Sequence, residues 1–321
     1  MLGVIIGKFY PPHLGHSFLI QCAIDRASDV VVIVCDHPQQ VIRGAVRAAW
    51  LQEQFPGVRI VITPDDLPDE PEPWADRTIS LLGRAPDIVF SSEDYGPGFA
   101  SALKCQHFMV DRERCNVPIS ATKIRENPLG HLEHVHACVR RDIILRVVII
   151  GVESTGKSTL AAALAKALRT EWVPEYGREY SAQKTGTWET KDFVAIAKEQ
   201  QRRESDAASS ANQVLICDTN AVATSVWHRR YMGEYSDEVE GVATKDRVDL
   251  YLLTLPDFPF VQDGTRDGEH IRHEMHEWFV RRLALQRTKV VEIGGGQLAR
   301  LEKSLKEIQV AVETKNRDMF N

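Results

Sequence analysis

The chain has 321 residues, enough for two cores of ordinary size, and its 43% hydrophobic and 26% charged residues give the balance of a globular protein. A net charge of −6 excludes a global field suited to nucleic acid, and no apolar run approaches the length needed to span a membrane. The six cysteines show neither CxxC nor zinc spacing, and Cys22, Cys35 and Cys217 sit in apolar patterns, which reads as reduced core thiols of a cytoplasmic protein.

Residues 2–6 are a short apolar run ending at Gly7, the pattern of a buried parallel strand and not of a signal peptide. G-K-F-Y-P-P-H-L-G-H follows at 7–16, and helical spacing through Phe18, Cys22 and Ile24 predicts a helix over 14–27. Gly7 lets the backbone turn close to a phosphate, with Lys8 and Phe9 beside it. His13 and His16 flank Leu14-Gly15 at the helix start, so both imidazoles face one anion there and the helix N-terminus adds its partial charge. Such a site stabilises charge on a phosphoryl group during displacement. Two unrelated surface histidines are the alternative, disfavoured because the tetrad falls at a strand-to-helix turn.

A strand over 30–35 and a helix over 45–55 come next, the helix opened by Arg43 and Arg47. A solvated helix face and a mononucleotide-phosphate contact describe these arginines equally well. After a strand at 58–62, residues 64–73 are rich in proline and acidic side chains and read as a solvated loop. Trp74 then starts a helix over 74–82, and strands follow at 87–90 and 107–110. P-I-S-A-T-K-I-R at 118–125 places Ser120 as an N-cap, with Thr122, Lys123 and Arg125 as donors to a triphosphate. An ordinary capped helix with a basic solvated face is the alternative. This alternation is that of a doubly wound α/β domain with a parallel sheet.

The pattern restarts at Leu145–Ile150, so domains of 1–144 and 145–321 are expected with little linker. G-V-E-S-T-G-K-S at 151–158 fits GxxxxGK[ST] between a strand and a helix over 157–168. Gly151, Glu153, Ser154, Thr155 and Gly156 form the phosphate cradle, Lys157 reaches the β- and γ-phosphates, Ser158 ligates Mg²⁺ and Thr159 follows in the helix. The strand 214–217 ends at Asp218, a candidate acid near the metal. Further strands are expected at 248–253 and 290–293, before a polar terminal helix. Histidines cluster at 131–136 and 270–276; a solvated face or ATP-lid contact is favoured over a metal site.

HxGH and ISxTxxR together resemble the nucleotidyltransferase superfamily. Within it, S-S-E-D-Y-G at 91–96, Val110-Asp111 and 118–125 resemble the adenylyltransferase domain of the bifunctional NadR family. The resemblance implies a Rossmann-like nucleotidyltransferase domain that moves AMP from ATP to nicotinamide mononucleotide, giving NAD and pyrophosphate. It implies that His13 and His16 stabilise the transition state, and that Gly7, Lys8, Phe9, Ser120, Thr122 and Arg125 bind ATP. Trp74 matches a family tryptophan that stacks on nicotinamide, with core packing as the alternative, and Arg43 is assigned to the mononucleotide.

W-V-P-E-Y-G-R-E-Y at 172–180 and D-T-N at 218–220 are similar to the family's ribosylnicotinamide kinase domain, and 255–266 resembles its lid entry. The implied reaction moves the ATP γ-phosphate to the 5′-hydroxyl of nicotinamide riboside. The resemblance implies that Arg266 joins the ATP loop, while Glu175, Tyr176, Arg178 and Asp218 face the riboside, with Glu175 equally readable as a helix cap and Arg178 and Arg266 equally readable as surface salt bridges. Ser158 and Asp218 hold Mg²⁺. Phe260 departs from the tryptophan frequent in that lid. With its first strand at Leu2, the chain is expected to lack the helix-turn-helix that makes some family members repressors. The expected partners are small molecules, namely nicotinamide riboside, the mononucleotide, ATP and NAD, with no nucleic acid and no membrane. Nucleotidyltransferases often associate, which leaves a homo-oligomer open. The rival readings are an adenylyltransferase–kinase fusion for another acceptor, and a nucleotide-sensing regulator with one silent site.

Overall fold

The computed structural model describes residues 1–261 and 268–320, which form two compact units: Met1–Arg140 with 316–320, and Arg141–Lys315. Both are α/β with a parallel sheet. In the first, the apolar runs become β1 (Leu2–Gly7), β2 (Asp29–Asp36), β3 (Arg59–Pro64), β4 (Ile88–Ser91) and β5 (Gln106–Met109), in the order β3-β2-β1-β4-β5. Successive side chains alternate, so β1 sends Ile5 to one face and Val4 and Ile6 to the other. One face is covered by Leu19 and Ile20 of α1 (Leu14–Ile24) and Ala48 and Leu51 of α2 (Gly44–Gln54). The other packs on Ala75 of α3 (Pro71–Leu82) and on Phe99 and Leu103 of α4 (Tyr95–Leu103). Burial on both faces is why β1, β2 and β4 read as continuous apolar runs.

Helix α3 begins at Pro71, inside the stretch read as loop. Proline suits a first turn because its missing N–H would have no partner there anyway. It ends at Gly83, whose φ of 79° closes the last turn. The helix α4 is absent from the sequence reading, because Y-G-P-G has low helical propensity; packing supplies what propensity lacks. Next come α5 (Ala121–Glu126), a 3-10 turn at Pro128–His134 and α6 (Ala137–Ile143).

The second sheet runs β10-β9-β6-β8-β7, with β6 (Leu145–Ile150), β7 (Trp172–Val173), β8 (Val214–Asp218), β9 (Leu250–Thr254) and β10 (Lys289–Ile293). Every residue of β6, β8 and β9 is buried. The helices are α7 (Lys157–Leu168), α8 (Tyr176–Gln183), α9 (Thr190–Ala208), α10 (Ala221–Met232), α11 (Asp237–Ala243), α12 (Arg272–Leu283) and α13 (Gln297–Asp318). Strand β6 has β8 on one side and β9 on the other, so connections leave it in both directions and open a crevice at the strands' carboxyl ends. Among the described residues, no helix is long and apolar enough to cross a membrane.

Candidate active sites

Strand β1 delivers the chain into the loop at 7–16. There Phe9, not Gly7, adopts the left-handed backbone conformation, with φ 47°. A Cβ on Gly7 would meet only the Phe9 ring at 3.5 Å, an ordinary contact within the protein. Phe9 tolerates the conformation because it is buried, with its ring 4.9 Å from that of His16.

His13 is the N-cap of α1. Its Nδ1 accepts the Gly15 N–H at 3.0 Å, and His16 Nδ1 accepts the His13 N–H at 3.2 Å, a reciprocal capping box made by two imidazoles. Both Nδ1 atoms are acceptors, which leaves the ring protons on Nε2. The two ring centroids lie 3.8 Å apart. Burial, assisted by the nearby Arg114 and His134, pulls the His13 imidazole down to about 4. Burial, then the charges of His13 and Arg114, hold His16 well below the usual imidazole range. The pair is therefore neutral at pH 7 and presents two N–H donors. Arg114 supplies positive charge to the site, and nothing in its sequence context singled it out.

The segment 118–125 reaches this loop. Arg125 donates to the Tyr10 carbonyl at 2.8 Å and to Thr122 Oγ1 at 3.0 Å, and Ser120 caps α5 by accepting the Lys123 N–H at 3.2 Å. Lys8 is exposed and lies 3.3 Å from Asp65. Arg43 is half-exposed, paired with Asp36 at 2.8 Å. Arg47 fits neither of its sequence readings. It is 0% exposed and donates to the carbonyls of Lys8, Cys35 and Ile42 and to Asp36 and Gln40, stapling the loop to the end of β2. Trp74 packs half-buried against the core, its indole N–H donating to Pro68 O at 3.0 Å. Among the described residues, His131, Glu133 and His134 form the one ligand-type cluster, with an exposed Glu133 carboxylate 3.3 Å from His134 and 4.0 Å from His131.

In the second unit, β6 runs into the loop at 151–158, where Gly151, Ser154 and Gly156 take φ of 145°, 56° and 78°. A Cβ on Gly151 would lie 2.6 Å from Thr254 Oγ1 and 2.9 Å from Thr254 O on β9, closer than atoms approach. Gly151→Ala is therefore expected to weaken ATP binding by at least about tenfold, measured by calorimetric titration; an unchanged affinity would show that the cradle does not depend on this approach. The loop is braced by its neighbours. Thr155 Oγ1 bonds Val152 O at 2.8 Å, Arg300 donates to Thr155 O at 3.0 Å, and Arg272 donates to Ser154 O at 2.8 Å. Ser154 Oγ accepts the Val261 N–H at 2.8 Å and Glu153 accepts the Gly268 N–H at 3.1 Å. Lys157 is buried, its Nζ donating to Val152 O at 2.9 Å. Ser158 and Thr159 follow on the first turn of α7, half-buried and exposed. Asp218 ends β8 with its Oδ1 buried and without a hydrogen-bond partner. Arg266 lies outside the described residues.

A cavity of about 320 Å³ opens beside this loop. Glu153, Lys157, Glu175 and Arg178 give it charge, and Trp188, Phe193, Trp227 and Tyr231 give it an aromatic wall. The Trp227 and Tyr231 rings stack 6.4 Å apart, and Trp188 lies 5.3 Å from Tyr231. Sequence reasoning missed this wall; its one signal was the i, i+4 aromatic pair on α10. Glu175 precedes α8 but its side chain makes no cap hydrogen bond, which removes the capping alternative. Burial raises its carboxyl, with Asp218 and Glu153 adding to the shift and Lys157 and Arg178 opposing it. Tyr176 does not line the cavity; its ring lies under Arg203, 4.3 Å from the guanidinium.

Gln200, which lines the cavity, accepts the Tyr176 N–H at 2.9 Å and donates to the buried Glu204 at 3.1 Å. Burial, then the charge of Asp246, pushes the Glu204 carboxyl up to about 8, and burial lifts Asp246 to about 6. A raised carboxyl means the folded chain holds a proton that the unfolded chain has released. Its stabilisation is complete below the unfolded carboxyl value and is lost as pH rises toward about 8. Glu204→Gln is expected to gain thermal midpoint on the parent as pH rises from about 5 to about 9; a pH-independent gap between the two would refute this.

A phosphate loop at the carboxyl end of a central parallel strand, beside a strand ending in a buried carboxylate, makes the second unit a P-loop kinase-like domain. A family description, AAA domain, matches residues 146–300. The trifunctional NAD biosynthesis/regulator protein NadR of Salmonella typhimurium is 30% identical over 293 residues, 83% of this chain and 71% of that protein. Its Escherichia coli counterpart is 29% identical over 294 residues with the same shares. A solved NadR protein in complex with NR matches with a TM-score of 0.78 at 25% identity, covering 97% of this chain and 96% of that one. NadR in complex with NAD and AMP-PNP matches at 0.74 with the same identity and coverage. The chain belongs to the NadR family and is an enzyme of NAD biosynthesis.

Proposed function

We propose that the chain carries out two consecutive reactions of NAD salvage: the second unit, Arg141–Lys315, phosphorylates nicotinamide riboside, and the first, Met1–Arg140 with 316–320, transfers AMP from ATP to the resulting mononucleotide. The observation that carries this reading is that each unit has its own phosphate-handling constellation at the end of its first strand. One is a neutral imidazole pair and the other a P-loop with a buried lysine. The NR, NAD and AMP-PNP bound in the two solved relatives support the substrate assignment.

In the kinase reaction, Lys157 and the loop amides hold the β- and γ-phosphates. Trp188, Trp227 and Tyr231 suit the flat, positively charged pyridinium of the riboside, which is attracted to aromatic faces and to the Glu175 and Glu153 carboxylates. Glu175 and Arg178 meet the sugar end. The unpartnered Asp218 Oδ1 and the Ser158 hydroxyl fit Mg²⁺, a hard cation that takes oxygen ligands and, when bound, neutralises phosphate charge. In the adenylyl transfer, the Nε2–H groups of His13 and His16 donate to the phosphoryl oxygens as charge builds on them, and Arg125 and Thr122 grip the rest of the triphosphate. Trp74 and Arg43 border the mononucleotide. No group on the protein forms a covalent intermediate in either step, so geometry and electrostatics supply the rate.

Incubation with ATP, Mg²⁺ and nicotinamide riboside is expected to yield both the mononucleotide and NAD, identified by mass. Absence of both, with turnover of a different acceptor, would reject the assignment.

A further inference from the structure

We propose that Phe320, with Asn316, positions the phosphate loop of the first site from the far end of the sequence. The inference rests on the adenylyltransferase reading of that site. Residues 316–320 belong to the first compact unit. Asn316 Oδ1 accepts the Leu129 N–H at 2.9 Å, just beyond α5. Phe320 is 9% exposed, packs edge-on against Tyr10 with centroids 5.2 Å apart, and its carbonyl accepts the Tyr10 hydroxyl at 3.3 Å.

Tyr10 is the residue through which the loop is held. Its hydroxyl accepts the Val41 N–H at 3.1 Å, and its carbonyl accepts from Arg125 at 2.8 Å. The guanidiniums of Arg47 and Arg125 lie 5.4 Å and 5.8 Å from its ring. Its neighbour Phe9 carries the left-handed backbone and touches His16. Phe320 thus covers one side of Tyr10, whose position sets both the Phe9–His16 contact and the direction of Arg125. Removing the phenyl leaves Tyr10 with space to rotate, and a small misplacement of donors aimed at a transition state is costly. The effect acts through Tyr10, so Phe320 is a positioning residue, with no contact to substrate.

The test is Phe320→Ala and Asn316→Ala in the full chain, with both reactions measured separately. The expected result for Phe320→Ala is a fall of at least about tenfold in kcat/KM for adenylyl transfer, shared between a raised KM for ATP and a lowered kcat. Phosphorylation of the riboside stays within about twofold, and Phe320→Tyr restores most of the loss because the ring is back. Asn316→Ala gives a smaller change in the same direction. Hydrogen–deuterium exchange of residues 8–12 is expected to quicken in Phe320→Ala, a readout that does not depend on which adenylyl acceptor the enzyme uses. Unchanged kinetics and unchanged exchange overturn the proposal, as does a lowered thermal midpoint with kinetics intact. Faster loop exchange in a protein that forms no NAD from the mononucleotide would instead sustain the loop contact and refute the adenylyltransferase reading.

Discussion

Lys157→Ala is expected to abolish riboside phosphorylation, by roughly a hundred- to thousandfold or more, and to leave adenylyl transfer to supplied mononucleotide within about twofold. Lys157 is 8% exposed and its ammonium sits 2.9 Å from Val152 O, inside the loop at 151–158. A fixed cation in a site with little water stabilises the phosphate charge far more than an exposed one does. Alanine removes it while leaving the α7 start and the buried Thr155–Val152 bond in place, so the loss is of catalysis and not of the fold. The measurement is product formation from the riboside and from the mononucleotide in separate assays. Loss of both activities in a folded variant would break the assignment of one reaction to each unit.

His16→Ala is expected to do the reverse, lowering adenylyl transfer by roughly a hundred- to thousandfold with riboside phosphorylation retained. Two losses combine. The variant lacks one of the two Nε2–H donors, and it opens the capping box, because His16 Nδ1 accepts the His13 N–H. A missing cap costs about 1 kcal/mol, too little to unfold a domain, so activity falls much further than stability. Both imidazoles titrate below neutrality, His13 at about 4, and acid loss of this reaction should not follow an ordinary histidine curve. Activity that survives in His16→Ala, with normal affinity for ATP, would remove the imidazole pair from the mechanism.

The central strands β1, β2, β4, β6, β8 and β9 were legible because each is an apolar run buried on both faces, and 2–6 or 145–150 admits little else. Helix α4 was not, since its glycines and proline carry no helical signal and its place is set by Phe99 and Leu103 meeting the core. The start of α3 was missed for a related reason: prolines that mark loops also suit a first helical turn. The cavity beside the P-loop was half visible. Glu175 and Arg178 stood in a recognisable segment, whereas Trp188, Trp227 and Tyr231 come from one helix and a loop with no common motif.

The sequence by itself determined the two phosphate loops, because HxGH and GxxxxGK[ST] build their chemistry from neighbouring residues whose geometry is local. It also determined membership of the NadR family, through segments spread over both halves. Only the tertiary structure decided which charged and aromatic side chains serve those loops. Arg47 is a buried staple because carbonyls from three segments converge on it, and no spacing of residues encodes that convergence. Tyr10 meets Phe320 across 310 residues of chain. Such contacts depend on where folding brings distant backbone together, and a buried guanidinium or ring is stable only once all its partners have arrived.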